Sequence, residues 1–208
     1  MINGCDVSHV NGKNINFNQM RAAGAEFVYI KATDFDLADG VDPCFYQNMV
    51  RAKGAGLAIG AYHRWRPDSK YGVQEQCALF YSVAGGLFDL PPAIEANEGG
   101  NPKSLWTARM FGMLTRTEEY FGRRPIIFTP YDIWRLHCNN NEWPSRYPIW
   151  IVYYKGGDTP KLPTMWKTWN LWRYSATGSA VQYGLDPKET RYANLDLFNG
   201  SLEELKGM

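Results

Sequence analysis

The sequence predicts an α/β fold: a single TIM-like barrel in which five βα units are followed by about three further strands. In the first part of the chain, apolar segments typical of strands alternate five times with helical segments. This alternation indicates parallel strands joined by crossover helices. After His137, three more strand-like segments follow, joined by loops rich in Pro and Gly. Five and three strands make the eight that close a barrel.

Each element follows from a local pattern of residues. The strands predicted for the βα units cover residues 2–8, 26–33, 57–63, 90–98 and 125–129, and the last three strands cover 149–153, 170–175 and 194–198. The predicted helices between the early strands cover 16–23, 42–54, 70–84 and 101–120. An open, doubly wound sheet is the alternative, but no Gly-rich phosphate loop follows the first strand. Since no repeat or linker is visible, we expect one domain over residues 1–208.

Composition excludes several classes of function. The 208 residues carry 22 basic and 21 acidic side chains, a net charge of +1, with no basic run, so a nucleic-acid partner is not expected. No apolar run is long enough to cross a membrane, and the N-terminus lacks the pattern of a signal peptide. We therefore expect a soluble protein made in the cytoplasm. The four widely spaced cysteines indicate reduced thiols rather than disulfides or a zinc site, and no metal or cofactor is expected.

Polar side chains collect where the predicted strands end, which is where barrel proteins place their sites. Alternation along a strand turns Glu95 and Asn97 to one face and Ile94 and Ala96 to the other. A buried acid needs a function or a partner. Glu95 is therefore either a site residue or half of a buried pair, for which Lys31 is the candidate. The abundant aromatic residues can fill the core or stack on sugars in a cleft.

Short motifs in order along the chain resemble the family 25 glycoside hydrolases, the N-acetylmuramidases of bacteria and phages. Asp6-Val7-Ser8 resembles the opening D-V-S, and 60–63 resembles G-A-Y-H. Leu90-Pro91-Pro92 resembles the segment leading into the catalytic strand. Trp150 and Tyr153 resemble a W-x-x-Y strand, 172–175 resembles W-Q-Y-S, and 194–198 resembles D-x-N/D-x-F. The family fold is a barrel of five βα units and three extra strands.

The resemblance implies hydrolysis of the β-1,4 bond between N-acetylmuramic acid and N-acetylglucosamine in peptidoglycan. It places the catalytic positions at Asp6, Glu95, Asn97 and Asn194. Asp6 is retained and Glu95 replaces an Asp, but amides stand at the proton-donor position, Asn97, and at the last-strand position, Asn194. Phe128 replaces a Tyr. The residues expected to contact substrate are Lys31, Tyr62, His63, Glu98, Trp150, Tyr153, Trp172 and Tyr174, although a histidine such as His63 is more often a hydrogen-bonded core residue.

Three hypotheses remain open at this stage. The first is an active muramidase, a phage or bacterial lytic enzyme, in which Glu95 serves as the acid and Asp6 is its anionic partner. The second is a catalytically silent barrel that binds peptidoglycan glycan, as part of a phage or secretion particle. The third is a glycosidase of shifted specificity. In each case we expect a monomer that reaches the bacterial cell wall after release. An amide has no ionisable proton near neutral pH, so Asn97 cannot be the general acid.

Overall fold

A computed structural model describes residues 1–99, 102–138 and 142–208. Within these residues, the strands form a closed barrel in the order β1 to β8. The strands are β1 (Ile2–Val7), β2 (Ala25–Asp34), β3 (Ala58–Arg64), β4 (Ala93–Glu95), β5 (Ile126–Pro130), β6 (Ile149–Val152), β7 (Leu171–Ser179) and β8 (Tyr192–Phe198). The helices are α1 (Phe17–Ala22), α2 (Phe45–Gly54), α3 (Val73–Ala84), α4 (Lys103–Phe121), α5 (Tyr131–Cys138) and α6 (Leu202–Gly207). The predicted α/β barrel is confirmed.

The direction of the strands changes once around the barrel. Each neighbouring pair from β1 to β7 is parallel, whereas β8 runs antiparallel to both β7 and β1. In the pairing with β1, Asp6 lies opposite Asn194 and Gly4 lies opposite Asp196. Earlier residues of β8 are therefore nearer the end of the barrel at which β1 to β7 finish.

The central strand is shorter than the sequence predicts. β4 spans only Ala93–Glu95, so Asn97 and Glu98 lie in the segment after the strand rather than within it. Pro91 and Pro92 precede β4, and a proline has no backbone N–H to give to a ladder. The start of the predicted helix at 101 falls outside the described residues, and α4 begins at Lys103.

Two apolar layers hold the barrel. One fills its interior and contains Ile2, Phe27, Tyr29, Ala58, Tyr62, Leu90, Ala93, Ile126, Phe128, Trp150, Leu171, Phe198 and Leu205. The other lies between the strands and the surrounding helices and includes Ile94 and Ala96. Small residues make room for the interior rings: a Cβ on Gly60 would lie 2.2 Å from the ring of Tyr29. Because Ile94 and Ala96 face outward, Glu95 faces the barrel interior.

Two further expectations can be compared with the fold. All four cysteines lie in the described ranges, and each is buried and unpaired, as expected of reduced thiols. No helix in the described part of the chain combines the length and the apolar character needed to cross a membrane.

Candidate active site

A cavity of about 300 Å³ lies at the carboxyl ends of the central strands. Its walls come from the ends of β4 to β7, the start of α5 and the segment after β6. The lining residues are Glu95, Asn97, Phe128, Pro130, Tyr131, Asp132, Val152, Tyr153, Tyr154, Lys155 and Arg173. The cavity therefore combines aromatic rings with a few charged and amide groups, which is the usual composition of a small-ligand site.

Glu95 and Asn97 lie together in this cavity. Glu95 ends β4 and is buried, and the Nδ2 of Asn97 lies 3.5 Å from Oε1 of Glu95. Burial raises the pKa of Glu95, while the nearby charges of Arg173 and Arg64 lower it, and the net shift is upward. Glu95 is thus a carboxyl group that holds its proton to higher pH than an exposed glutamate does.

Asp6 lies inside the barrel, where it pairs with Arg173. It is not among the residues that line the cavity, whereas Arg173 is. The side chain of Asp6 is 2% exposed and that of Arg173 is 12% exposed. Asn194 also donates from Nδ2 to Oδ1 of Asp6, at 3.1 Å. The structure therefore places Asp6, Glu95, Asn97 and Asn194 at one end of the barrel, with a cation among them.

Two aromatic rings lie against the guanidinium group of Arg173. The guanidinium carbon of Arg173 lies 4.5 Å from the ring centroid of Phe128 and 5.9 Å from that of Trp150. The rings of Phe128 and Trp150 stack with centroids 3.8 Å apart. A cation over an aromatic face is attracted by the ring's electron density, and the attraction is stronger away from water.

One acid lies deeper in the barrel. Asp196 is fully buried and accepts a hydrogen bond from Nε1 of Trp150 at 2.9 Å. Burial, followed by the neighbouring charge of Asp6, raises the pKa of Asp196 well above its usual value. Asp196 therefore holds its proton to higher pH than an exposed aspartate does, while Asp6 remains the partner of Arg173.

A chain of ion pairs lies beside the cavity and includes two of the predicted contact residues. Lys31 is buried, with Nζ 3.4 Å from Asp34. Arg66 pairs with Asp34 at 2.8 Å and also with Glu98, which in turn lies 3.0 Å from Arg64. This network ties Glu98, in the segment after β4, to residues near the end of β2 and at or just beyond the end of β3. Lys31 pairs with Asp34, so the predicted Glu95–Lys31 pair is not the one formed.

The other predicted contact residues lie either in the lining of the cavity or packed elsewhere in the barrel. Tyr153 lines the cavity. Tyr62 and Trp150 lie in the interior layer, and Trp172 and Tyr174 pack in the outer layer. His63 is fully buried, with Nδ1 2.8 Å from Thr33 and Nε2 3.0 Å from Gln76. Of the eight predicted contact residues, Tyr153 alone is among those that line the cavity in the described structure.

Comparison with known proteins identifies the family. The model of glycosyl hydrolases family 25 matches residues 5–183. The chain belongs to this family. It is 29% identical over 216 residues to lysozyme M1 of Streptomyces globisporus, covering 98% of this chain and 70% of that protein. It is 34% identical over 167 residues to the autolytic lysozyme of Clostridium acetobutylicum, covering 79% and 48% respectively.

A solved structure supports the same assignment. The bacterial lysozyme of Streptomyces coelicolor superposes with a TM-score of 0.84 at 26% identity, covering 99% of this chain and 95% of that one. The resemblance inferred from short motifs is therefore confirmed. This chain is a muramidase-like, or lysozyme-like, family 25 domain.

Sequence reasoning missed several residues of this family 25 site. Arg173 stands within the W-Q-Y-S-like motif, which predicts no role for it, and the last-strand motif predicts a catalytic position at Asn194 rather than at Asp196. Alternation along β8 places residues 194 and 196 on the same face, so it could have indicated Asp196. Tyr131, Asp132, Tyr154 and Lys155 also line the cavity. They lie just beyond strands, where the sequence carries no signal of which way a side chain points.

The family 25 barrel also contains a buried histidine that should make folding sensitive to pH. Burial lowers the pKa of His63 to about 4, against 6.5 when exposed. The unfolded chain therefore binds more protons than the folded one between these values, so stability is present above pH 6.5 and is lost as the pH falls. We expect the free energy of unfolding to fall by ~2 kcal/mol from pH 6.5 to pH 5 through this group. Urea titrations at each pH would measure it.

The control for this prediction is His63→Asn, which keeps a polar side chain but has no group that titrates in that range. The variant should be less stable than the wild type near neutral pH. Its unfolding free energy should depend less steeply on pH, because the contribution of His63 is absent. An equal slope in the two proteins would show that other groups cause it.

Proposed function

We propose that this domain binds the glycan strands of peptidoglycan in the cavity and hydrolyses them weakly or not at all. The observation that carries the proposal is the amide of Asn97, which lines the cavity beside Glu95 where the family motif has its proton donor. Relatives named as lysozymes support the substrate class. The proposed site residues are the four catalytic positions and the lining of the cavity.

Binding is supported by the walls of the cavity. Tyr131, Tyr153 and Tyr154 lie on one side of it, and Lys155 adds a flexible charged group. Aromatic rings with polar tips suit sugars, because the ring covers the apolar face and the hydroxyl group makes hydrogen bonds. None of these contacts requires a proton donor, so they would remain after hydrolysis is lost.

Weak hydrolysis is supported by the chemistry of the acids. Cleaving a glycosidic bond requires an acid to protonate the leaving oxygen and a second group to assist at the sugar carbon. An amide cannot supply that proton, and general acid catalysis typically contributes ~10²–10⁴-fold in rate. Asp6 cannot easily serve as the second group either, because it is buried and paired with Arg173.

A second candidate function is slow hydrolysis with Glu95 as the acid. Glu95 lines the cavity, and its pKa is raised by burial, as a general acid near neutral pH requires. Under this alternative, the wild-type protein would lyse cell walls slowly and Glu95→Gln would abolish the lysis.

The proposal is tested by measuring wall binding and wall lysis separately. Purified bacterial walls should carry the wild-type protein down on centrifugation, while the turbidity of the suspension falls slowly or not at all. Tyr153→Ala should weaken the pull-down by about tenfold or more, since burying a large apolar side chain against a ligand contributes about 1.5–3 kcal/mol. Asn97→Glu should raise the rate of lysis at least tenfold above the wild type, because it restores an acid to the cavity.

Two matched controls make the test specific. Asn97→Gln has nearly the same shape as Asn97→Glu but no acid, and should give no lysis. Glu119→Gln makes the same change at an exposed glutamate on α4, so it is the control for Glu95→Gln and should leave binding and lysis as in the wild type. Failure of the wild type to bind walls, or rapid lysis by the wild type, would overturn the proposal.

We further propose that the domain acts as a single barrel and a monomer at the bacterial cell wall, after release from the cell that makes it. The relative from Clostridium acetobutylicum, named an autolytic lysozyme, supports a lytic context. Light scattering coupled to gel filtration would test the monomer, and a mass of twice 23.7 kDa would exclude it.

A further inference from the structure

Arg173 occupies an unusual place for a cation. It projects from β7 into the barrel, lines the cavity that contains Glu95 and Asn97, and pairs with Asp6 below them. Placing an arginine in such a position is costly unless neighbouring groups compensate for its lost hydration. Here the compensation comes from the catalytic positions themselves, so the arginine and these positions depend on one another.

Charged and titratable groups face this cluster from most of the barrel. They are Asp6 on β1, Lys31 on β2, Tyr62 and Arg64 on β3, Glu95 on β4, Tyr131 and Asp132 on α5, Tyr153, Tyr154 and Lys155 after β6, Arg173 on β7 and Asp196 on β8. β5 and β6 contribute the stacked rings of Phe128 and Trp150. Among these groups, Arg173 is the cation that both lines the cavity and contacts a catalytic carboxylate.

We propose that Arg173 is a positioning residue that holds Asp6 in a closed ion pair and keeps a cation beside the acids of the cavity, and that it is a second barrier to hydrolysis in addition to Asn97. This inference rests on the proposed function and deepens it. It implies that restoring an acid at position 97 recovers only part of the activity.

The physical reason is the effect of a cation on a neighbouring acid. A positive charge within a few ångströms favours the anionic form of a carboxyl group and so lowers its pKa. A general acid must hold its proton at the working pH, and Arg173 opposes this for Glu95. A glutamate introduced at 97 would line the same cavity and experience the same field. The ion pair also withholds Asp6 from a substrate.

The aromatic stack explains why the cation stays in place. Phe128 and Trp150 present a flat face to the guanidinium, and Asp6 fixes its other side. Arg173 therefore has little freedom to swing out when a sugar enters. Its charge remains in the cavity in both the free and the occupied protein.

The test compares Asn97→Glu with Asn97→Glu/Arg173→Gln. Glutamine removes the charge but keeps a donor for Asp6. We expect the double variant to lyse walls about tenfold faster than Asn97→Glu at pH 7. The alkaline limb of its kcat/KM profile should lie at higher pH, because the general acid keeps its proton longer. Asn97→Glu/Arg173→Lys, which retains the charge, should behave like Asn97→Glu.

A second measurement does not depend on activity. Carboxyl carbon NMR of protein with only glutamate labelled would follow the titration of Glu95, assigned by comparison with Glu95→Gln. The midpoint should move to higher pH in Arg173→Gln and stay near that of the wild type in Arg173→Lys. If Arg173→Gln does not fold, Asp6→Asn/Arg173→Gln removes both charges of the pair, and the Glu95 midpoint should still rise because the lowering effect of Arg173 exceeds the raising effect of Asp6.

The results distinguish this inference from the proposed function. Equal rates and pH profiles for Asn97→Glu and its Arg173→Gln derivative, or an unchanged Glu95 midpoint, would overturn the role of Arg173. The proposal of a binding domain would still stand, since it depends on the wild type binding walls and lysing them weakly or not at all.

Discussion

Replacing Arg173 with methionine should lower the free energy of unfolding by about 3–5 kcal/mol, because it leaves the buried Asp6 without its cation. Methionine has a similar length and fills the space against Phe128, so the loss reports the charge rather than a cavity. Asn194 also contacts Asp6, but its amide carries no charge and cannot replace the cation. Urea unfolding at pH 7 would measure the change.

The double variant Asp6→Asn/Arg173→Met separates the ion pair from the packing around it. Removing both charges should recover most of the lost stability, since an ion pair inside a protein is often replaceable by neutral groups at little cost. A double variant as unstable as Arg173→Met would mean that the arginine stabilises the barrel through its packing and not through Asp6.

Replacing Trp150 with alanine should also cost about 3–5 kcal/mol of unfolding free energy, because it opens a large cavity in the barrel interior. Trp150 is fully buried, stacks on Phe128 and donates a hydrogen bond to Asp196. The same change should weaken binding of walls, since Phe128 lines the cavity and loses the ring behind it. Chemical unfolding and wall pull-down would measure the two effects.

Trp150→Phe is the matched control for this prediction. It keeps an aromatic ring in the stack but removes the indole N–H, leaving Oδ1 of Asp196 without its donor. Its cost should be ~1–3 kcal/mol, as for other buried groups that lose a partner. If the phenylalanine variant were as unstable as the alanine variant, the hydrogen bond rather than the stack would hold this part of the interior.

Local patterns in the chain were sufficient to predict the order of the eight strands and the position of Glu95, but not the C-terminal helix α6. The apolar run of β2 and the alternation around Glu95 each depend on neighbours in sequence, and both agree with the fold. The predicted end of β4 disagrees with the fold. Whether a segment remains hydrogen-bonded in a sheet depends on neighbouring strands that lie far away in the sequence. Asn97 nevertheless lies beside Glu95 in the cavity.

The role of Arg173 could not be predicted for a related reason. Its partner, Asp6, lies at the other end of the chain, and the two meet only when β8 closes the barrel between β7 and β1. Read along the sequence, Arg173 is one charged residue in a strand that alternates between faces. Its effect on the site depends on closure, which no short window of sequence contains.

The reversed direction of β8 has a practical consequence. Phe198 pairs with Ile2 and with Leu171, so the last strand returns the chain to the barrel end at which β1 and β7 begin. A fusion partner or surface tether joined before β1 or after α6 would therefore hang from the face opposite the cavity. If the protein were attached to a sensor surface in this way, the cavity would face away from the surface and would be accessible to an insoluble polymer.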